Sequence, residues 1–165
     1  MTDEVAPADE PGRVADVRDA QEVQDAQDAQ AVRAANGAFY DALERGDFDA
    51  MSDVWEHSDR VTVTHPGWPT IRGWGKVAAS WSAIFRSTGY IQFVLTEEEV
   101  TLHGDTAWVT LDENIIQSVD DEPARDDGLA PLAGARATAI NLFVRTTSGA
   151  GDGWSMVAHH SAPVG

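Results

Sequence analysis

Residues 31–47, AVRAANGAFYDALERGD, set the fold. Val32, Ala35, Phe39, Ala42 and Leu43 recur at three- and four-residue intervals, which gathers apolar side chains on one face of an α-helix. Gly46 stops that helix, because glycine takes the left-handed conformation of a helix terminus at little cost. Asp47 then serves as N-cap for a short second helix, FDAMSDVW, with Phe48, Met51, Val54 and Trp55 on one face.

Toward the C-terminus the period changes from helical to two-residue. In DRVTVTHPGW, Val61, Val63 and His65 alternate with Thr62 and Thr64, and Pro66-Gly67 ends the strand. A third helix is predicted from about Gly73 through KVAASWSAIFRS, burying Val77, Trp81, Ile84 and Phe85. Four strands follow over residues 90–102, 106–117, 135–147 and 153–163, with His103-Gly104-Asp105 and residues 148–152 as hairpin turns. The connection SVDDEPARDDGLAPLAG, residues 118–134, has the length and composition of a lid or mobile loop. Helices first and hairpin-linked strands afterwards predict an α+β domain whose helices pack on a curved antiparallel sheet.

Toward the N-terminus, residues 1–30 hold nine acids against two arginines, no aromatic residue, and the near-repeat DAQEVQDAQDAQ. Such a tail buries too little to offset its ordering entropy, so its first fifteen residues are expected to be disordered. From about Ala20 its Ala, Gln and Glu content favours helix, continuing the first domain helix into solvent. The division is therefore an acidic tail, 1–30, and one domain, 31–165.

Composition excludes several classes of function. The chain has no cysteine, so disulfides, thiolate metal sites and cysteine nucleophiles are absent. Its formal charge of −17 repels polyphosphate backbones, which argues against nucleic acid and anionic membrane as partners. One lysine, Lys76, stands against ten arginines. No run of apolar residues is long enough to span a bilayer, and the acidic N-terminus does not resemble a signal peptide, so a cytoplasmic location is expected. No phosphate loop or Gly-x-Ser-x-Gly elbow occurs, and no cofactor is implied.

The residues capable of chemistry are few. His65, at a strand end on the face of two valines, is either a general base working near neutral pH or a hydrogen-bonded core histidine. His159 and His160 must face opposite sides of a regular strand. Parity with Trp154, Met156 and Ala158 turns His160 inward. By the same alternation Asp112 shares a face with Trp108, Thr110 and Asn114, as a buried acid or a solvated one. Asn141, in an otherwise apolar strand, could polarise a carbonyl or serve core hydrogen bonding. Trp55, Trp81 and Trp108 lie on faces expected to be buried and to wall a pocket, while Trp68 and Trp74 flank a turn at its mouth. The assembly His65, His160 and Asp112 matches no metal-ligand spacing, and no metal is expected. Glu97-Glu98-Glu99 reads as a solvated stretch that discourages edge pairing.

The blocks FYDALERGDFDAM, HPGWPTIRGWGKVAASW, GDTAWVTL, and INLFVR followed by GWSMVAHHSAP resemble, in that order, the SnoaL-like branch of the nuclear transport factor 2-like superfamily. The resemblance implies a cone-shaped α+β barrel, three N-terminal helices against a strongly curved antiparallel or mixed sheet, and a homodimer through the sheet's outer face. Its members include isomerases, cyclases, dehydratases and modules without chemistry. Laid on the ketosteroid isomerase pattern, the general-base aspartate falls on His65, the oxyanion-hole tyrosine on Phe39, and the second oxyanion donor on Asn141. The ionisable acids of that pattern are replaced here, so steroid isomerisation by that route is not implied. The expectation is a pocket for a small apolar or carbonyl-containing ligand, lined by Phe39, Trp55, Trp81, Trp108, Asp112 and His160. Two alternatives stand beside it: an acid/base enzyme using His65 and Asn141, and a dimeric association domain with a vestigial pocket.

Overall fold

The computed structural model describes residues 11–119, 131–146 and 153–164. The elements, in chain order, are α1 (Pro11–Arg45), α2 (Phe48–Val54), β1 (Thr62–Thr64), β2 (Ile71–Arg72), α3 (Trp74–Ser87), β3 (Ile91–His103), β4 (Thr106–Ser118), β5 (Leu132–Thr146) and β6 (Gly153–Pro163). Three helices pack on a six-stranded mixed sheet of order β2-β1-β6-β5-β4-β3. The β1–β6 pair is parallel and the others antiparallel. The α+β reading holds, with the sheet left open between its β2 and β3 edges instead of closing into a barrel.

Local chemistry explains the corner between α1 and α2. Gly46 sits at φ 60°, its N–H donates to the Leu43 carbonyl and the Asp47 N–H to that of Ala42, a pair of bonds that terminates α1. The Asp47 side chain then accepts from the Ala50 N–H at 3.0 Å and starts α2. Two helices separated by two residues thereby turn sharply and both face the sheet.

Two β-bulges shape that sheet. One lies in β3 between Thr96 and Glu99, where Glu97 takes φ 53°; the other lies in β6, where Leu142 pairs with Ala158 but Phe143 pairs with Met156. Each inserts a residue, adds local twist and reverses the side-chain alternation beyond it. The concave face so formed takes Val109, Leu111, Phe143 and Met156 into one core with Val32, Phe39, Ala42 and Trp81 of the helices. The bulge in β3 also turns Glu98 toward α1, where it meets Asn36 and Arg33. The acidic run is therefore not uniformly solvated.

Within the described part of the N-terminal segment the chain is helical from Pro11. α1 starts at Pro11, a residue suited to the first helical position, so residues 11–15 are helical where disorder was expected; residues 1–10 lie outside the described residues. The side chains of residues 17–27 are exposed, and the helix meets the domain at Asp28. There Arg145 of β5 makes two hydrogen bonds to the Asp28 carboxylate at 2.9 and 2.6 Å, a third to Asp105, and lies 4.6 Å over the Trp154 ring. Asp28, within the acidic segment, is thus tied to β5. Residues 120–130 of the expected lid also lie outside the described residues.

This clamp is stronger than an ordinary surface pair because both side chains are largely buried and the geometry is bidentate. Arg145 holds the Asp28 carboxyl below its usual pKa. Arg145→Ala should lower unfolding free energy by about 1–3 kcal/mol in urea titrations, with amide exchange rising first along α1 near Asp28. Asp28→Asn should show a comparable loss at pH 7 that shrinks as pH falls below about 4, where the unfolded chain's carboxyl begins to take up its proton, and that vanishes once the pH passes below the lowered folded-state value.

Candidate functional site

A cavity of about 230 Å³ opens between the helices and the concave face of the sheet. Leu43 of α1, Trp81, Ile84 and Thr88 at α3, Ile91 and Phe93 of β3, and Ile115 of β4 supply its largely apolar wall. Trp68, half exposed on the turn after β1, stands at the mouth. The polar part of the wall comprises His65, Glu113, Gln117, His159 and Ser161.

His65, Glu113, His159 and Ser161 are fixed by hydrogen bonds that run back into the core. His65, His159, Glu113 and Asn141 are 4, 4, 3 and 0 % exposed. Asn141 of β5 donates through Nδ2 to Asn36 Oδ1 at 2.7 Å and to Tyr40 Oη at 3.4 Å, and its Oδ1 faces His159 Nδ1 at 2.6 Å. Tyr40 Oη donates to Glu113 Oε1 at 2.7 Å, and Ser161 Oγ donates to Glu113 Oε2. One continuous chain of bonds therefore joins α1 to β4, β5 and β6. Burial first, and the neighbouring Glu113 charge second, raise the Tyr40 pKa, so Tyr40 stays a neutral donor.

The same bonds assign the tautomers of both histidines. Asn141 presents an oxygen to His159, so Nδ1 of His159 carries the proton and Nε2 is left as an acceptor. Ser80 spends its hydroxyl proton on the Val77 carbonyl at 2.7 Å, so it accepts from His65 Nε2–H at 3.0 Å, which leaves His65 Nδ1 as an acceptor. Burial pushes the His65 pKa down to about 4 and that of His159 down to about 3, the latter with smaller contributions from His65 and His160. Both rings are neutral at pH 7. They are further located by aromatic contacts: His65 lies edge-on, 4.5 Å from Trp81 and 5.2 Å from Trp68, and His159 lies tilted 4.8 Å from Phe39.

The structure separates the residues singled out from sequence. His65 and Trp81 stand in the cavity wall. Phe39 and Trp55 are buried in the core beneath it, edge-on to one another, and outside the wall. Asn141 is also behind the wall, with both ends of its amide engaged; it positions His159 and has no free donor directed at a ligand.

Trp108, Asp112 and His160 are corrected to the outer, convex face. Asp112 pairs there with Arg136 at 3.6 Å, and His160 and Asp112 line an open hollow of about 370 Å³. The reason for His160 is the extra residue in β6: Trp154 and Met156 point inward as expected, but beyond the bulge it is His159 and Ser161 that follow them. For β4 the inward set is Ala107, Val109, Leu111 and Glu113, which is more apolar than the set containing Trp108. The combination His65, His160 and Asp112 is split by the sheet.

Sequence reasoning missed Asn36, Tyr40, Glu113 and Ser161. Asn36 and Tyr40 stand four apart on the buried face of α1, continuing the spacing from Val32, so helical periodicity could have found them. Glu113 was concealed by its charge, since an acid is rarely assigned to a core face. Nothing in the local sequence marks the β6 bulge.

The fold is that of the nuclear transport factor 2-like proteins. A family model described as SnoaL-like domain matches residues 32–165, and the chain belongs to that family. A candidate dehydratase of the NTF2-like family from Streptomyces avermitilis is 41% identical, with a TM-score of 0.73 over 84% of this chain and 97% of that one. A candidate calcium/calmodulin-dependent protein kinase type II association domain from Thiobacillus denitrificans is 28% identical, TM-score 0.65, over 81% and 94%. A ketosteroid isomerase-like protein from Erwinia carotovora atroseptica shares the fold at 17% identity, TM-score 0.64, over 84% and 97%. No curated protein is similar enough in sequence to count as a match. No helix among the described residues is long and apolar enough to cross a membrane.

The depressed histidine pKa values predict an acid-sensitive fold. Unfolded histidine titrates near 6.5, so below that pH the unfolded chain binds protons that folded His65 and His159 refuse, and stability is lost as pH falls toward 4. Each ring should contribute a slope approaching about 1.4 kcal/mol per pH unit in that window. Thermal unfolding between pH 7.5 and 4.5 should show His65→Gln and His159→Gln with shallower losses than wild type; parallel curves would rule this out.

Proposed function

We propose that the chain binds a small, largely apolar molecule in the cavity between the helices and the concave sheet face. The carrying observation is the combination of an apolar, aromatic wall with a few convergent polar groups that the fold holds in single orientations. Size supports the reading: an apolar cavity of about 150 Å³ accepts benzene, so 230 Å³ suits a ligand built around one substituted ring.

A second reading, acid/base catalysis on the bound molecule, is favoured by one feature. His65 and His159 are neutral with their N–H groups anchored in the protein, so each leaves a basic nitrogen. His65 is then the general base and Asn141 the residue that orients His159. The name of the Streptomyces relative suggests elimination of water as the reaction class.

We also propose that the chain forms a homodimer through the outer sheet face, where Val94, Ile116, Leu132 and Ile140 are exposed. A solved neighbour's description as an association domain points the same way.

A panel of one-ring ketones, alcohols and amines in thermal-shift assays tests the binding reading. At 100 times its Kd a ligand should stabilise wild type by about 2.7 kcal/mol, roughly 5–10 °C in Tm, and His65→Ala should reduce that shift severalfold. Absence of any shift across the panel counts against a ligand site. For the catalytic reading, mass spectrometry of the hydroxylated ligands after incubation should detect loss of water with wild type and not with His65→Ala. Sedimentation should give a dimer for wild type and a monomer for Ile140→Asp, with the thermal shifts unchanged.

A further inference from the structure

The polar groups of the cavity wall differ in what they can still accept or donate. His65 and His159 each commit their one N–H to the protein, to Ser80 and Asn141 respectively. Ser161 commits its hydroxyl proton to Glu113. What these groups can still offer a ligand is lone pairs: a ring nitrogen from each histidine and the remaining acceptor capacity of the Glu113 carboxylate. The donors left in the wall are the Gln117 amide at its exposed rim and the Trp81 indole N–H, which has no partner among the described residues, so the lone pairs gathered at Glu113 and the two histidines match a ligand that donates there.

Glu113 adds charge to this pattern. It is almost wholly buried, is held by two hydroxyl groups, and has no ion-pair partner among the described residues. Among the described residues no lysine or arginine lines the cavity. A buried carboxylate without a counter-ion is costly, and the cost is relieved when a cation enters beside it. The same wall carries the aromatic side chains Trp81 and Phe93, a residue type that attracts cations. The net charge of −17 draws cations toward the protein from solution.

We propose that the ligand of this cavity is a small organic ammonium ion with an apolar body, its N–H groups donated to Glu113 and the free histidine nitrogens. This rests on the cavity being a ligand site and narrows the ligand class: Glu113, absent from the sequence-level candidates, becomes the residue that decides specificity.

Calorimetry on the full chain at pH 7.5 with cyclohexylammonium and cyclohexanone, two rings of similar size, tests the proposal. The ammonium should bind wild type about tenfold or more tightly than the ketone, the usual worth of one charge-assisted hydrogen bond. Glu113→Gln should erase that preference while ketone binding persists, and Tyr40→Phe, which keeps the carboxylate, should retain it. Titration of wild type with the ammonium should also move the ¹³C resonance of the Glu113 carboxyl, a readout that needs no variant. Equal or weaker binding of the ammonium in wild type, or a preference that survives in folded Glu113→Gln, overturns the ligand class and leaves the cavity reading intact. If neither probe binds, the cavity reading fails and the ligand class with it.

Discussion

The amide of Asn141 is the point on which the interior depends. Its Nδ2 reaches Asn36 and Tyr40 on α1, and its Oδ1 fixes His159 on β6. A fully buried amide must satisfy both ends or impose a desolvation penalty, so these partners are held together by one side chain. Because Tyr40 passes the chain on to Glu113, and Glu113 to Ser161, the register of α1 against three strands is tied to the orientation of the groups that face the cavity. Packing stability and site geometry are thus maintained by the same bonds.

Curvature is the second requirement, and the two bulges supply it. Without the inserted residue in β6, alternation from Met156 would carry Ala158 and His160 inward and leave His159 and Ser161 outside. Glu113 would lose one of its two hydroxyl donors and Asn141 its histidine. The bulge in β3 has the corresponding effect on Glu98, which closes the chain at its outer end through Asn36 and Arg33. An irregularity of one residue in each strand therefore determines which side chains form the site.

At the far end of α1, Arg145 clamps Asp28 and stacks on Trp154, which anchors the helix beyond the apolar stripe that begins at Val32. The helix continues toward Pro11 with its side chains from Val17 to Gln27 in solvent. Its order there follows from helical propensity and attachment to a fixed C-terminal portion, since extending an existing helix avoids the cost of nucleating one.

Local signals were sufficient for the three helices and the longer strands, though not for the two-residue β2, which exists only by pairing with β1. Helical spacing in residues 31–47, the Gly46-Asp47 corner, and the hairpin glycines are short-range features whose physics is contained in a few neighbouring residues, and the α+β class follows from their order. His65 and Trp81 were legible for the same reason, each lying on a regular face of its own element. The inward turn of His159 and Ser161, the outward turn of Trp108, Asp112 and His160, and the recruitment of Glu113 were decided only by the tertiary structure. A bulge is favoured by what a strand pairs with and packs against, and a buried acid is tolerated only when distant hydroxyls reach it. Neither condition is written in the residues adjacent to it in sequence.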